Sequence, residues 1–347
     1  MVMGRRPEVA TAGALGAGKA LGKVGFDLAR HLAEVPLHRP WDGPANPATN
    51  VLRDVVRTTV RSVMTTAMAM DTPELRSLEI VLDDAAGLVL PPPWRRDVRV
   101  RSAEVGGVPG EWIEPDDERP RGVLIYFHGG GYLATTPRMY LGFASHVADT
   151  ARCRVFIPDY RLAPEFPYPA ALEDALAVYD AVLADGWSAD DLLIAGDSGG
   201  GGLAASLLAA LGSEQRPHPA GAVLISPEID LSLSGASMEA NAGKDILPPD
   251  IPVDPYLHGA DARTGTTSPL FADLSTYPPL LVTAGGDEMF VDGIRAFVDW
   301  AALADIDVDY IEEPGMTHVF EIISPLSRAT GRVYRRLHAF IDGVLDD

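Results

Sequence analysis

The chain predicts an α/β domain built on a mostly parallel sheet with helices on both faces. Three observations carry that prediction. Short apolar runs of strand composition at 123–127, 155–158, 192–195, 222–226, 280–283 and 308–311 are separated by helical stretches such as 170–183 and 290–303. Alternation of this kind buries a parallel sheet between two helical layers. The residues suited to chemistry fall just past the carboxyl ends of these runs, where open α/β sheets bind ligands. The most telling of them is Ser198, in Gly196-Asp197-Ser198-Gly199-Gly200 between the run 192–195 and the helix-forming 203–211. A serine in that setting sits on a strained strand-to-helix turn, and glycine two residues before and two after lets strand and helix approach.

The elements follow in chain order. Arg5-Arg6 ahead of an Ala- and Gly-rich stretch invites an export-signal reading, but Lys19 and Lys23 interrupt it and no firm apolar segment forms. Gly13 to Ala20 imitates a phosphate-binding loop, yet no strand precedes it and Ala20 stands where a metal-binding hydroxyl is required. A small-residue lead-in to a helix is the better reading. Phe26, Leu28, Leu32 and Val35 predict a short helix ended by Pro36, and Pro40, Gly43, Pro44 and Pro47 mark a linker. Asn46-Pro47 opens a further helix, whose apolar stripe runs from Val51 to Met68 with Arg53, Arg57 and Arg61 beside it. This helix is expected to act as a lid, with ordinary packing on the core as the alternative. Pro91-Pro92-Pro93 predicts an exposed bend before opening strands near 98–101 and 112–114. Between 227 and 276 the sequence becomes Pro-rich and weakly periodic, and a loop of that length in a compact domain is usually functional. The expected division is 1–75 for N-terminal cap helices and linker and 76–347 for the catalytic domain, with 227–278 as a second cap segment.

Composition narrows the partners. The formal charge of −21 disfavours nucleic acid and repels anionic substrates or membrane surfaces, so neutral small molecules are expected. Cys153 is the only cysteine, which excludes an intrachain disulfide and a cysteine-based metal site and makes a cytoplasmic setting the default. No run approaches the roughly 20 apolar residues of a membrane span. A homodimer is compatible with the sequence but nothing in it requires one.

The partners of Ser198 come from three later or earlier strand ends. His128-Gly129-Gly130-Gly131 follows the run 123–127, and its glycines leave backbone N–H groups uncovered, free to point at an oxygen that becomes negative in acyl transfer. The N–H of Gly199, after the nucleophile, supplies a further donor. Asp287 follows the run 280–283 through Ala284-Gly285-Gly286, and His318 follows the last strand through Gly315-Met316-Thr317. The order Ser198, Asp287, His318 is that of the α/β-hydrolase fold rather than of chymotrypsin-like or subtilisin-like proteases.

With these motifs the chain closely resembles the hormone-sensitive lipase family of α/β-hydrolases. The resemblance rests on His128-Gly129-Gly130-Gly131-Tyr132, on Tyr160-Arg161-Leu162-Ala163-Pro164-Glu165, on Gly196 to Gly201, on Asp287-Glu288 and on His318-Val319-Phe320, covering about two-thirds of the chain. It implies a serine carboxylesterase with Ser198 as nucleophile, His318 as base, Asp287 as acid, and Gly130, Gly131 and Gly199 as the oxyanion hole, with no cofactor or metal. Gly199 departs from the alanine usual there, which leaves the N–H role intact. Glu288 and Asp292 compete with Asp287 as the acid, and Asp287 is preferred because it lies nearest the strand end. The resemblance gives His128 a role bracing the glycine loop and Glu165 one as a buttress. Asp197 is expected to steady the elbow through backbone bonds, and His338 to lie in a helical run at 332–341. Tyr132, Leu203, Met238 and Phe320 are the expected pocket lining. The expected substrates are neutral short- to medium-chain acyl esters. A deacetylase or lactonase of a secondary metabolite uses the same machinery, and a non-catalytic receptor on a hydrolase fold is the alternative of another class, against which the presence of His318 weighs.

Overall fold

The computed structural model describes residues 9–34, 47–88, 98–116 and 120–345. Arg5-Arg6, the proline and glycine cluster at 36–46 and the bend at Pro91-Pro92-Pro93 lie outside the described residues. Eight strands form one sheet: β1 Val98–Val105, β2 Val108–Pro115, β3 Val123–Phe127, β4 Arg154–Pro158, β5 Leu192–Asp197, β6 Gly221–Ile225, β7 Leu280–Gly285 and β8 Val308–Glu313. Their spatial order is β1-β2-β4-β3-β5-β6-β7-β8. The six strands from β4 to β8 in that order pair in parallel, and β2 runs antiparallel to both of its neighbours, β1 and β4. The opening strands are longer than the sequence suggested, because Gly106-Gly107 makes a two-residue hairpin turn between them with φ of 61° and 80°.

Strand residues alternate between two cores, as a sheet covered on both faces requires. Val123, Ile125, Phe127, Ile194, Leu224 and Val282 face the larger core. Leu124, Tyr126, Leu193, Ala195, Val223 and Leu281 face the smaller.

Three helices precede the sheet, α1 Gly13–Glu34, α2 Pro47–Met68 and α3 Thr72–Leu88. The others are α4 Leu141–Ala151, α5 Ala170–Ala184, α6 Ser198–Ser213, the single turns α7 Ser237–Ala240 and α8 Asp254–Leu257, then α9 Val291–Leu303, the turn α10 Phe320–Ile323 and α11 Arg328–Leu345. Helices α5, α6 and α9 cover the larger core, while α4 and α11 cover the smaller. His338 lies on α11, as its helical run implied. No helix among the described residues is long and apolar enough to cross a membrane.

The N-terminal helices differ from expectation in an instructive way. The phosphate-loop lookalike is the first two turns of α1 itself, so Gly16 and Gly18 are helical rather than part of a cradle. Helix α2 spans the predicted residues, but its apolar stripe is only partly used. Val60 and Met64 pack against the larger core, whereas Val51 and Leu52 are exposed. Its arginines carry the docking instead. Arg53 Nη1 donates to the Gly315 carbonyl at 3.3 Å, Arg61 Nη2 to the Ala242 carbonyl at 2.5 Å, and Arg57 to the Gly243 carbonyl. These carbonyls belong to loops, so long cationic side chains satisfy groups that no ladder reaches. Helix α3, which periodicity did not reveal, is held by Arg76. Its guanidinium makes a two-pronged contact with Glu165 (2.8 and 2.7 Å), pairs with Glu79, and donates to the Leu133 and Ala163 carbonyls.

Candidate active site

Ser198 begins α6 directly after β5, with φ of 53° in the left-handed region that a non-glycine residue rarely adopts. The flanking glycines explain how such a turn fits. A Cβ at Gly196 would overlap the Gly200 carbonyl, and one at Gly200 would overlap the carbonyls of Phe127 and His128. Small residues are therefore obligatory at both places, as the pentapeptide implied. The turn lifts Ser198 Oγ to 2.8 Å from His318 Nε2. Both residues are buried, and the Phe290 ring meets the imidazole edge-on at 5.2 Å.

The loop from His128 to Leu133 lies across the start of α6. Gly199 packs so closely on it that a Cβ there would come 3.0 Å from both Cα and N of Gly131. The alanine usual in related sequences would have to displace this loop slightly, and glycine lets the two donor segments touch. Gly130 takes φ of 114°, which suits glycine alone, and Gly131 takes φ of 59°, in the left-handed region that favours glycine. Their N–H groups make no hydrogen bond to described residues, and that of Gly199 is among the unpaired donors of a helix start.

His128 braces this loop. Its Nδ1 lies 2.8 Å from Thr135 Oγ1, and its ring stacks on Tyr160 at 4.4 Å. Asp197, expected to bond within the elbow, instead ties the elbow to this loop and to β3, accepting from Gly129 N at 2.9 Å and Tyr126 Oη at 2.7 Å. Burial nevertheless pushes the Asp197 carboxyl up to about 6. Glu165 is the buttress expected of it, through Arg76.

The acid requires a correction. Asp287, expected to face the imidazole, is partly buried and lies 3.8 Å from Lys244 Nζ, with no ion pair to His318 among the described residues. The next residue takes the inner position. Glu288 is fully buried, and its Oε2 stands 3.6 Å from His318 Nδ1. That oxygen also accepts from Ser226 Oγ at 2.6 Å and from Gly285 N at 3.2 Å. The cause is the turn after β7. Asp287 N donates to the Met316 carbonyl and Glu288 N to the Gly285 carbonyl, which directs the second side chain back under the sheet end. Proximity in sequence to the strand thus selected the wrong neighbour. Asp292, the other competitor, accepts from Ser237 N at 2.8 Å and contacts Arg295.

Asp245, which sequence reasoning missed, holds the histidine loop. Its Oδ1 accepts from His318 N at 2.9 Å and its Oδ2 from Met289 N at 2.8 Å. A lone carboxylate just before Ile246-Leu247 was the available signal. Electrostatically, burial lowers the His318 pKa, against the pull of Asp245 and Asp197, and raises Glu288 to about 8. Each shift disfavours charge on one partner alone, so imidazolium and carboxylate are stabilised only when they form together.

The expected pocket residues divide. Met238 lines a cleft of about 250 Å³ with Pro227, Ile229, Met289 and Phe290, beside the histidine. Tyr132 is buried and stacks on Tyr256 with ring centroids 3.8 Å apart. Leu203 and Phe320 are corrections. Both are fully buried, Leu203 in the larger core and Phe320 with Met316, Ala329 and Val333, so packing rather than pocket lining accounts for them. A second cleft, of about 380 Å³, lies between α2 and the loop 315–317 and is lined by Arg53, Asp54, Arg57 and Lys244 among others.

The parallel sheet, the elbow and the glycine loop define an α/β-hydrolase, and the family model for that fold matches residues 124–322. The chain belongs to the hormone-sensitive lipase family of α/β-hydrolases and is a carboxylic ester hydrolase. An acetyl-hydrolase of Streptomyces hygroscopicus is 36% identical over 68% of this chain and 80% of its own. An esterase of Acinetobacter venetianus is 32% identical over 72% of this chain and 82% of its own. Among solved structures, an esterase from the bacterial hormone-sensitive lipase family matches with a TM-score of 0.75 and 34% identity, covering 84% of this chain and 98% of that one.

Proposed function

We propose that this carboxylesterase hydrolyses neutral, short- to medium-chain acyl esters through a covalent acyl-enzyme on Ser198. The observation that carries the reading is the 2.8 Å contact between Ser198 Oγ and His318 Nε2 in a buried, strained elbow. His318 takes the serine proton as Oγ attacks the ester carbonyl, and the oxygen that becomes negative turns to the N–H groups of Gly130, Gly131 and Gly199. Glu288, rather than Asp287, holds the Nδ1 side of the ring and balances the imidazolium. The protonated ring then gives its proton to the departing alcohol. In the second half, water loses a proton to His318 and attacks the acyl carbon, releasing the acid and restoring Ser198.

The charge of −21 favours neutral esters over anionic ones. The single cysteine, buried and with its thiol pushed up to about 11 by burial, favours a cytoplasmic setting. The likeness to an acetyl-hydrolase supports a second reading, removal of acetyl groups by the same residues. A series of nitrophenyl esters from acetate to decanoate tests both. The first reading predicts Ser198-dependent turnover with a maximum at short to medium chains, the second a sharp preference for acetate. Turnover that survives in Ser198→Ala would contradict the mechanism.

A further inference from the structure

Glu228 has no part in the steps above, yet it is placed beside them. It follows β6 by three residues, its N–H donates to the Ser198 carbonyl at 2.9 Å, and its side chain is only 3% exposed. Its carboxylate makes no hydrogen bond or ion pair to described residues. Every other buried acid near the nucleophile except Glu321 has donors or a cation: Asp197, Asp245 and Glu288 are each held by backbone or hydroxyl groups.

Two phenols share the surroundings. The Tyr132 hydroxyl has no partner among the described residues, and the Glu228 carboxylate helps push the pKa values of both Tyr132 and Tyr256 up. Gly202, one helical turn beyond Ser198, lets this group assemble, since a Cβ there would overlap both the Glu228 carbonyl and the Tyr132 hydroxyl. Burying a carboxylate whose only influence is desolvation, and a phenol with no partner among the described residues, is costly, and a ligand that bonds to them offsets that cost. Burial pushes Glu228 up to about 7, so its charge is poised for a partner near neutrality.

Direction follows from the chemistry. The ester oxygen that leaves must face His318 Nε2, and the carbonyl oxygen must face Gly130, Gly131 and Gly199. Neither demand uses the side of Ser198 that Glu228 occupies through its bond to the Ser198 carbonyl, which leaves that side to the acyl chain. We propose that Glu228 is the specificity-determining residue of this acyl subsite, where its carboxylate accepts a hydrogen bond from a hydroxyl or amino substituent on the acyl chain. The proposal rests on the serine esterase reading. It adds that the preferred acyl groups carry a hydrogen-bond donor a few atoms from the carbonyl.

The test compares nitrophenyl 3-hydroxybutyrate with nitrophenyl butyrate on the full chain. The wild type should favour the hydroxy ester by about tenfold or more in kcat/KM, the equivalent of one hydrogen bond to a charged group. Glu228→Leu should lower that ratio about 10- to 100-fold, mostly through KM, and Glu228→Gln, which keeps an acceptor oxygen, should retain part of it. A wild-type ratio at or below one overturns the subsite, whatever the variants do. So does a Glu228→Leu enzyme slowed equally on both esters, the outcome a merely structural residue would give. Hydrolysis of both esters surviving in Ser198→Ala would instead overturn the serine mechanism, and the subsite with it.

Discussion

Replacing Glu288 by glutamine should disable the enzyme, while replacing Asp287 by asparagine should scarcely matter. The carboxylate of Glu288 stands 3.6 Å from His318 Nδ1. At an effective dielectric constant near 20, a unit charge at that distance stabilises the imidazolium by roughly 4 to 5 kcal/mol. Each 1.36 kcal/mol is a factor of ten, so Glu288→Gln should lower kcat by about 10³, and the amide can also hold the ring in the wrong tautomer. Asp287 faces Lys244, at 3.8 Å with the lysine half exposed, and feels the charge of Arg53. An ion pair of that kind contributes about 1 kcal/mol or less to stability and nothing to the ring. Asp287→Asn should therefore stay within about threefold of wild type. The assay is steady-state hydrolysis of a short nitrophenyl ester, with circular dichroism to show that each variant is folded. The inverse pattern, Asp287→Asn inactive and Glu288→Gln active, would refute the reasoning from the structure and restore the sequence-based choice.

Other perturbations test other parts of the account. His318 must be neutral to accept the serine proton, and burial lowers its pKa from 6.5. Activity should accordingly rise with pH as the His318 and Glu288 pair loses its last proton and then level off, and a profile in kcat/KM that stays flat from about pH 5 to 9 would contradict the coupled, buried pair. Arg76→Leu leaves Glu79 and Glu165 without their shared buried cation, at a cost of about 3 to 5 kcal/mol. Differential scanning calorimetry should show melting several degrees lower, and an unchanged transition would mean that α3 is held by other contacts. Deleting residues 1–70 removes the arginines that grip Ala242, Gly243 and Gly315 close to the histidine loop. Reduced kcat and an altered chain-length profile are expected, and an unchanged profile would show that these helices are not a lid.

Much of the fold was legible in the sequence because its strands are short, apolar and bounded by glycine or proline. The six parallel runs kept their places to within two residues, and every motif fell at a strand end. The hairpin at Gly106-Gly107 was not read, although two adjacent glycines between β-rich segments are a turn signal, and the opening strands were therefore read too short. Helix α3 was not legible. Its stability comes from Arg76 reaching across to Glu165, a tertiary contact 89 residues distant in the chain, which leaves no periodic trace. The Arg-mediated docking of α2 was hidden for the same reason, as the carbonyls it satisfies belong to distant loops. At the site, Ser198, the glycine loop and His318 could be read from local order. The choice between Asp287 and Glu288 could not, because adjacent turn residues point to opposite sides and only the path of the chain after β7 decides which one faces inward. Leu203 and Phe320 looked like pocket lining because they neighbour catalytic motifs, whereas their side chains turn into the cores.

The central claim is that Ser198 becomes acylated, and the most direct measurement is mass spectrometry of the enzyme quenched in acid during turnover of nitrophenyl butyrate. The account predicts a butyryl group on the peptide containing Ser198, most abundant in the early burst and absent from Ser198→Ala. A rapidly turning-over enzyme with no adduct at Ser198, or an equally active Ser198→Ala protein, would contradict it.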